Sequence, residues 1–133
     1  MRYLMDTQIA IWAKENNPRL TSRVKIILED SQNDILVSQF SLIELSIKLK
    51  IGKLPNFIIS IEAFADALIN DGFDILPITN QQIFSYQQIP FFDDHRDPFD
   101  RYILSTAFAN DLTLITADDK FDRYCSIVDV IKI

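Results

Sequence analysis

Apolar residues along this chain alternate between short runs and longer stretches in which they recur every three or four positions. Short runs bounded by turn residues predict buried strands, and the longer stretches predict helices packed on one face. Residues 89–96 contain too many polar and turn residues for a regular element. The pattern predicts strands at 2–5, 35–37, 73–76, 112–115 and 127–130, helices at 7–14, 20–29, 40–50, 60–70, 79–87 and 97–110, and a helical turn at 120–124.

The alternation of strands and helices indicates an α/β fold. Strands that are apolar throughout are typical of a parallel sheet covered by helices on both faces. We expect a central, mainly parallel sheet of about four to five short strands. The 133 residues fit a single domain, residues 1–133. In such sheets ligands bind beyond the carboxyl ends of the strands, so the residues that follow strands are the first to inspect.

Helix 40–50 is apolar on two sides. Phe40, Ile43, Ile47 and Ile51 form one stripe, and Leu42, Leu45 and Leu49 form another on the opposite side. A helix that is apolar on two sides is buried on two sides. Either the domain covers both stripes, or a partner covers one.

Composition narrows the functional classes. The net charge of −6 argues against a DNA coat protein or a repressor, because polyanion binders are usually basic. It does not exclude a nuclease, since bound divalent cations can invert the sign of an acidic pocket. The one cysteine, Cys125, is expected to be a small core residue. Asp6 interrupts any signal-like apolar segment, and no stretch is long enough to span a membrane, so we expect a cytoplasmic protein.

Two acids directly follow predicted strands. Asp6 follows the first strand, and Asp118 follows strand 112–115 through two residues. Asp6 could simply cap the next helix, since aspartate is a favoured N-cap. Asp118 could lie in a solvated turn, with Asp119 capping the turn at 120–124. Position alone leaves these alternatives open.

Two further acids lie within predicted helices. Glu44 falls at the edge of the Phe40 stripe, and Ser38, rather than Ser41, is expected to cap that helix. Asp100 shares the inward helical face of Ile103, Leu104 and Ala107. A carboxylate on an inward face is rare unless it is paired or binds metal.

The four acids together suggest more than any one of them. If they are packed in one place, they repel each other, and some take up protons at neutral pH. Mg²⁺ or Mn²⁺ relieves this repulsion, because hard cations prefer oxygen ligands. A metal held in this way can activate water and stabilise a phosphoryl transition state.

The order of short motifs resembles the PIN-domain ribonucleases, and in particular the VapC-type toxins of bacterial toxin–antitoxin pairs. The resemblance covers nearly the whole chain, and residues 95–101, His-Arg-Asp-Pro-Phe-Asp-Arg, are its most specific part. The other matching segments are 3–7, 37–38, 41–54, 72–78 and 112–118.

This resemblance implies a three-layer α/β/α sandwich and a Mg²⁺- or Mn²⁺-dependent endoribonuclease. It implies that Asp6, Glu44 and Asp100 are the core metal ligands and that Asp118 is the fourth acid. Asp97, which precedes Pro98 and is expected to cap its helix, is implied as an accessory acid. The partners implied are RNA, a second copy of the chain and an antitoxin whose tail enters the acidic pocket.

Several other polar residues are candidates for contacting substrate or shaping the site. Gln8 stands where related toxins often carry His, and it can form hydrogen bonds but cannot titrate. For His95, the only histidine, a structural or substrate-positioning role is favoured over that of a catalytic base. Arg96 could contact phosphate, and Arg101 is expected to pair with the acids. The full set is Thr7, Gln8, Ser38, His95, Arg96, Arg101 and Thr116.

Two other functions compete with the nuclease. One is a non-catalytic PIN-like module that binds RNA or protein. The other is a phosphohydrolase with Asp6 as its nucleophile. That class resembles a strand followed by Asp-x-Asp, and here Gln8 replaces the second Asp.

Overall fold

A computed structural model describes all the residues, Met1–Ile133. Five strands alternate with six α-helices, and two 3₁₀ helices lie at Tyr86–Gln88 and Asp119–Tyr124. No helix is long and apolar enough to cross a bilayer. The elements are β1 (Arg2–Met5), α1 (Thr7–Glu15), α2 (Ser22–Glu29), β2 (Asp34–Ser38), α3 (Gln39–Lys50), α4 (Ile61–Asn70), β3 (Asp74–Leu76), α5 (Asn80–Ser85), α6 (Pro98–Asn110), β4 (Thr113–Thr116) and β5 (Val130–Lys132).

All five strands are parallel, in the order β3-β2-β1-β4-β5. The predicted parallel α/β sheet is therefore confirmed, and it has no antiparallel strand. The chain builds outward from β1 to β2 and β3, then crosses back to add β4 and β5 on the other side. The switch in strand order falls between β1 and β4, where parallel sheets open a crevice at their carboxyl ends.

Alternate strand residues face two separate cores. In β1, Tyr3 and Met5 point to the core that contains α1, α2 and α4, while Leu4 points to the core built around α6. This alternation follows from the two-residue period of a strand. Helix α3 contributes to both cores, with Leu45 in the first and Phe40 in the second. The molecule is thus three layers, helices on either side of one sheet.

Helix α3 packs into both cores but leaves part of one predicted stripe uncovered. Leu45 is buried, and Leu42 and Leu49 are half-buried. Ile43, Ile47 and Ile51, by contrast, are 42%, 45% and 58% exposed. Of the two predicted stripes, the domain therefore covers the leucines and leaves three isoleucines uncovered.

Helix ends match the local sequence. The Ser38 hydroxyl accepts from the backbone N–H of Phe40, which confirms Ser38 as the cap of α3. Asp97 accepts from the N–H of Phe99 at 2.8 Å, with Pro98 at the first helical position. Gly52, just past α3, has φ of 74°, a left-handed conformation that favours glycine at helix ends.

Two predictions near the C-terminus were wrong. The last strand was placed at 127–130, but β5 spans Val130–Lys132. The N–H groups of Ile127 and Val128 instead donate hydrogen bonds to the Tyr124 carbonyl, where the 3₁₀ helix ends. Cys125, expected in the core, is exposed and caps the C-terminal end of that 3₁₀ helix.

Candidate active site

An acidic cavity of about 670 Å³ opens at the carboxyl ends of β1 and β4. Its walls come from α1, α3, the start of α6 and the segment after β4. Two lysines, Lys48 and Lys120, are its only cationic residues. Six acids line it: Asp6, Glu44, Asp97, Asp100, Asp118 and Asp119. Residues far apart in sequence thus meet at the switch in strand order.

Asp6 is both a helix cap and a wall of this cavity. Its Oδ1 accepts from the N–H of Ile9 at 2.9 Å, and its Oδ2 accepts from the Thr116 hydroxyl. Its own N–H donates to the Ile115 carbonyl of β4 at 3.0 Å. Both carboxylate oxygens are therefore held, and the two alternatives for Asp6 are not exclusive.

Glu44 is buried on the second turn of α3, with two side chains holding it. The Thr7 hydroxyl donates to Glu44 Oε1 at 2.6 Å, and Thr7 Oγ1 lies 2.9 Å from the Ser41 hydroxyl. Lys48, one turn further along α3, places its Nζ 2.9 Å from Glu44 Oε2. Thr7 thus holds the Glu44 carboxylate by a hydrogen bond at the cavity wall.

Asp100 lies on the first turn of α6 and bonds to the single histidine. His95 Nε2 is 3.1 Å from Asp100 Oδ2, and His95 Nδ1 is 2.8 Å from the Tyr124 hydroxyl. Asp100 Oδ1 accepts no hydrogen bond from the protein, so one oxygen is held and the other is free. Asp97, at the cap of the same helix, adds a further negative charge to the cavity wall.

Asp118 and Asp119 have distinct roles. Asp118 accepts from the N–H of Lys120 at 2.9 Å and is the cap of the 3₁₀ helix. Asp119 instead forms an ion pair with Lys132 of β5. The cap is therefore Asp118 rather than Asp119, and, like Asp6, it combines a local structural contact with a place in the cavity.

Two cavity acids carry charges that the protein does not neutralise. Burial raises the pKa of Asp6 to about 6, and the nearby charges of Asp100 and Asp118 raise it further against the hydrogen bonds that lower it. Burial, with smaller contributions from Asp97 and Glu44, likewise raises the pKa of Asp100 to about 6. The acids therefore interact across the cavity, as their predicted packing required.

Five of the twelve predicted site residues do not line the cavity, namely Ser38, His95, Arg96, Arg101 and Thr116. Thr116 and His95 act on it indirectly, by bonding Asp6 and Asp100. Arg96 is exposed and pairs with Asp93 at 3.2 Å.

The expected pairing of Arg101 with the acids is wrong. Its guanidinium is buried and donates to the carbonyls of Ile89 and Pro90 at 3.0 and 2.8 Å. Consecutive residues of a helix point roughly 100° apart, so Arg101 lies on a different face of α6 from Asp100, and adjacency in sequence did not imply contact.

Lys48 and Lys120 were not identified from the sequence as site residues. Lys48 lies four residues after Glu44, and a Glu–Lys pair at this spacing could have been recognised as neighbours on one helix face. Lys120 had no comparable signal, because its place in the cavity depends on the turn after β4.

The donor set fits a hard divalent cation. All the candidate ligands are carboxylate oxygens, and Mg²⁺ characteristically uses one or two of these and keeps several waters. As the side chains stand, no three His, Cys, Asp or Glu residues enclose a single point. The free Oδ1 of Asp100 and the raised pKa values of Asp6 and Asp100 mark where a cation would be held.

Comparison with protein families covers nearly the whole chain, since the model described as PIN domain matches residues 3–127. The chain belongs to the PIN domain family. The resemblance noted in the motifs is thereby confirmed. No curated protein gives a significant sequence match.

Solved structures share this PIN fold at low sequence identity. VapBC2 from Rickettsia felis, solved with a DNA fragment from its promoter, matches at 20% identity and TM-score 0.68, over 99% of this chain and 98% of that one. DNA-bound VapBC from Salmonella typhimurium matches at 15% identity and TM-score 0.68, over 99% of this chain and 98% of that one. VapBC-1 from nontypeable Haemophilus influenzae matches at 22% identity and TM-score 0.64, again over 99% of this chain and 98% of that one. These likenesses agree with a three-layer α/β/α sandwich.

Proposed function

We propose that this PIN domain, acting as a single unit over residues 1–133, is an endoribonuclease that depends on Mg²⁺ or Mn²⁺. The supporting observation is the convergence of acids from four separate segments on one cavity. Such a cluster is costly to bury unless a cation neutralises it. A phosphodiester, itself anionic, is the substrate for which acids with a divalent metal form a complete mechanism.

In this proposal Asp6, Glu44 and Asp100 hold the metal, Asp118 is the fourth acid and Asp97 is accessory. When bound, the metal activates water and stabilises the charge of the phosphoryl transition state. The protein's own contribution is orientation. Thr116 and the N–H of Ile9 fix Asp6, while Thr7 and Lys48 fix Glu44.

The two lysines suit the substrate. Lys48 and Lys120 lie on the cavity wall of a protein whose net charge is −6. They supply the local positive charge that would attract a phosphate. Gln8 is exposed on the same wall and can donate or accept a hydrogen bond from a nucleotide. Substrate contact is therefore assigned to Lys48, Lys120 and Gln8.

An aspartyl nucleophile at position 6 is disfavoured by the geometry. Asp6 is 8% exposed, and both of its oxygens already accept hydrogen bonds. A nucleophilic oxygen must approach phosphorus directly, which these two contacts oppose.

The test is cleavage of a mixed RNA pool by the purified protein with Mn²⁺, with EDTA, and by Asp100→Asn. We expect cleavage only by wild type with metal. Asp66→Asn, which changes an exposed aspartate of α4 remote from the cavity, is the matched control and should cleave normally. Equal cleavage by wild type and Asp100→Asn would reject the proposal and point to a contaminating nuclease.

One observation favours a second function, a PIN-like module that binds RNA or protein without cleaving it. No three acids enclose one point in this arrangement, so metal binding requires some side-chain movement. Calorimetry with millimolar Mn²⁺ separates the two functions. Heat that is lost in Asp100→Asn supports the nuclease, and no binding by wild type supports the module.

We further propose that the protein is the toxin of a toxin–antitoxin pair and acts in the cytoplasm. Its support is the likeness to VapBC structures and to FitAcB from Neisseria gonorrhoeae, the last at 22% identity. The cognate antitoxin would occupy the cavity. Induced expression should arrest bacterial growth, Asp100→Asn should not, and co-expression of a short adjacent gene should restore growth.

A homodimer is proposed from helix α3. Ile43, Ile47 and Ile51 form an uncovered apolar stripe on it. A second copy of the chain would bury the same stripe in a symmetric contact. Sedimentation should show a dimer for wild type and a monomer for Ile47→Lys, whereas a monomeric wild type would overturn this proposal.

A further inference from the structure

Behind Asp100 lies a buried pair of hydrogen-bonding side chains that the proposed chemistry does not use. We propose that Tyr124 and His95 form a relay that positions Asp100, in which the Tyr124 hydroxyl donates to His95 and His95 donates to the carboxylate. The role of this relay in metal binding rests on the proposed function of the cavity. The existence of the relay does not depend on that function, because the relay is defined by hydrogen bonds within the protein.

The direction of the relay follows from the partners. An ionised carboxylate only accepts hydrogen bonds, so His95 Nε2, 3.1 Å from Asp100 Oδ2, must carry a proton. A neutral imidazole has one donor and one acceptor, which leaves Nδ1 as the acceptor. The Tyr124 hydroxyl, 2.8 Å from Nδ1, is the group that can donate to it. Tyr124 thereby selects the tautomer of His95 that serves Asp100.

The relay is closed to solvent. His95 is 2% exposed and Tyr124 is fully buried. The imidazole packs edge-on against Phe121, with ring centroids 5.4 Å apart and planes at 83°. Phe92 packs against the Tyr124 ring in the same manner at 5.3 Å. Bulk water does not reach the hydrogen bond between Tyr124 and His95, so losing one of these side chains leaves the other unsatisfied. The Asp100 side chain, at the end of the relay, is 28% exposed to the cavity.

The segment that carries His95 is itself anchored. Arg101 donates to the carbonyls of Ile89 and Pro90, and its guanidinium lies 4.8 Å from the centroid of the Tyr86 ring. At the other end, the N–H of His95 donates to the Phe92 carbonyl at 3.0 Å. These contacts fix the imidazole before any ligand arrives, which gives buried Arg101 a supporting part in the site.

The consequence for Asp100 is an asymmetric carboxylate. Oδ2 is held by His95, while Oδ1 has no protein partner and belongs to a side chain that lines the cavity. A hydrogen bond to one oxygen restricts rotation of the group and so directs the other. Partners of this kind behind a metal ligand are worth roughly 10- to 100-fold in affinity or activity.

The first test uses the fact that the chain has one histidine. NMR of the imidazole nitrogens in the metal-free protein at about pH 8 reads the tautomer without further assignment. We expect a protonated Nε2 and an unprotonated Nδ1. A protonated Nδ1, alone or together with Nε2, would overturn the relay, whether or not the protein cleaves RNA.

The second test measures Mn²⁺ affinity in variants. Removing the tyrosine hydroxyl in Tyr124→Phe should weaken binding roughly fivefold, as expected for one hydrogen bond. It should also mix the two tautomers. Tyr3→Phe is the matched control, since Tyr3 is a buried tyrosine whose hydroxyl bonds to no other residue, and it should bind as wild type does.

Variants of His95 separate positioning from packing. His95→Phe keeps the ring volume and loses both hydrogen bonds, and it should weaken Mn²⁺ binding by roughly 10- to 100-fold. His95→Gln, whose amide has one acceptor and a donor, should restore much of that loss. If His95→Phe folds and binds Mn²⁺ like wild type, His95 serves only packing and the proposal is wrong.

Discussion

Aspartates in two regions of this molecule differ in how their charge is satisfied. In the cavity, burial raises the pKa of Asp6 and of Asp100 to about 6. On the surface, the hydrogen bond from Arg123 lowers the pKa of Asp94 to about 2. Asp6 bonds to a hydroxyl and a backbone N–H, and Asp100 bonds to an imidazole, whereas Asp94 forms an ion pair with the Arg123 guanidinium.

We expect this difference to distinguish acids that serve only the fold from those of the proposed active site. Asp94 has its counter-charge within the chain, and its ionised form is the stable one. Asp6 and Asp100 are fixed in position without being neutralised, which favours protons or an external cation. Glu44 is intermediate between these two kinds of acid. It lines the cavity, but Lys48 from the same cavity wall neutralises it.

Replacing Asp6 by Asn should have the largest effect, on both the stability of the fold and RNA cleavage. A pKa raised from 3.8 to about 6 means that ionised Asp6 destabilises the metal-free fold by up to about 3 kcal/mol. Asp6→Asn should therefore be more stable than wild type above about pH 6 and lose RNA cleavage. Its advantage should vanish below about pH 3, where Asp6 is protonated in both the folded and the unfolded state. Urea unfolding across this range checks the prediction, and a less stable variant at neutral pH would contradict it.

The pH dependence of Mn²⁺ binding should be the next largest effect. Metal must displace the protons of Asp6 and Asp100, so affinity should fall by about tenfold per pH unit below 6 for each acid that coordinates. Calorimetry at about pH 5 and pH 7 gives this slope. A flat profile would mean that neither acid binds the metal.

Lys48→Met should have a smaller effect, on Mn²⁺ affinity and on the KM for RNA. Removing this cation should tighten Mn²⁺ binding several-fold, since it competes for Glu44, and raise the KM for RNA, since a phosphate contact is lost. Lys50→Met, an exposed lysine of the same helix, is the control. An unchanged KM would remove Lys48 from substrate binding.

The smallest effect should come from Asp94→Asn. Exposed ion pairs contribute little to stability because solvent screens them. We expect unchanged Mn²⁺ affinity and RNA cleavage, and a melting temperature close to that of wild type. A large loss of metal binding would show that Asp94 and the cavity acids are not distinct classes after all.

The sequence predicted the strands, the parallel sheet and the acids because these leave local signals. Asp6 and Asp118 follow apolar runs, and Asp100 occupies an inward helical face, so spacing marked each as a candidate, while the cap and turn alternatives for Asp6 and Asp118 stayed open. Ser38 was likewise recognisable as a cap from its place between a strand and a helix.

What could not be predicted depends on long-range contacts. Thr7 meets Glu44 across 37 positions, and His95 meets Tyr124 across 29. Arg101 follows Asp100 immediately, yet it turns to backbone carbonyls on the far side of α6. The strand at 127–130 was misplaced because its first apolar residues end a 3₁₀ helix, and apolarity alone does not distinguish the two conformations.

Helix α3 carries Glu44 and Lys48 in the cavity wall, directly beside the isoleucine stripe that the domain leaves uncovered. Glu44 and Ile47 are less than one helical turn apart, so whatever shifts one displaces the other. In the proposed homodimer, a substitution that improves the contact between the two copies should be tolerated only if it leaves the Glu44 carboxylate in place.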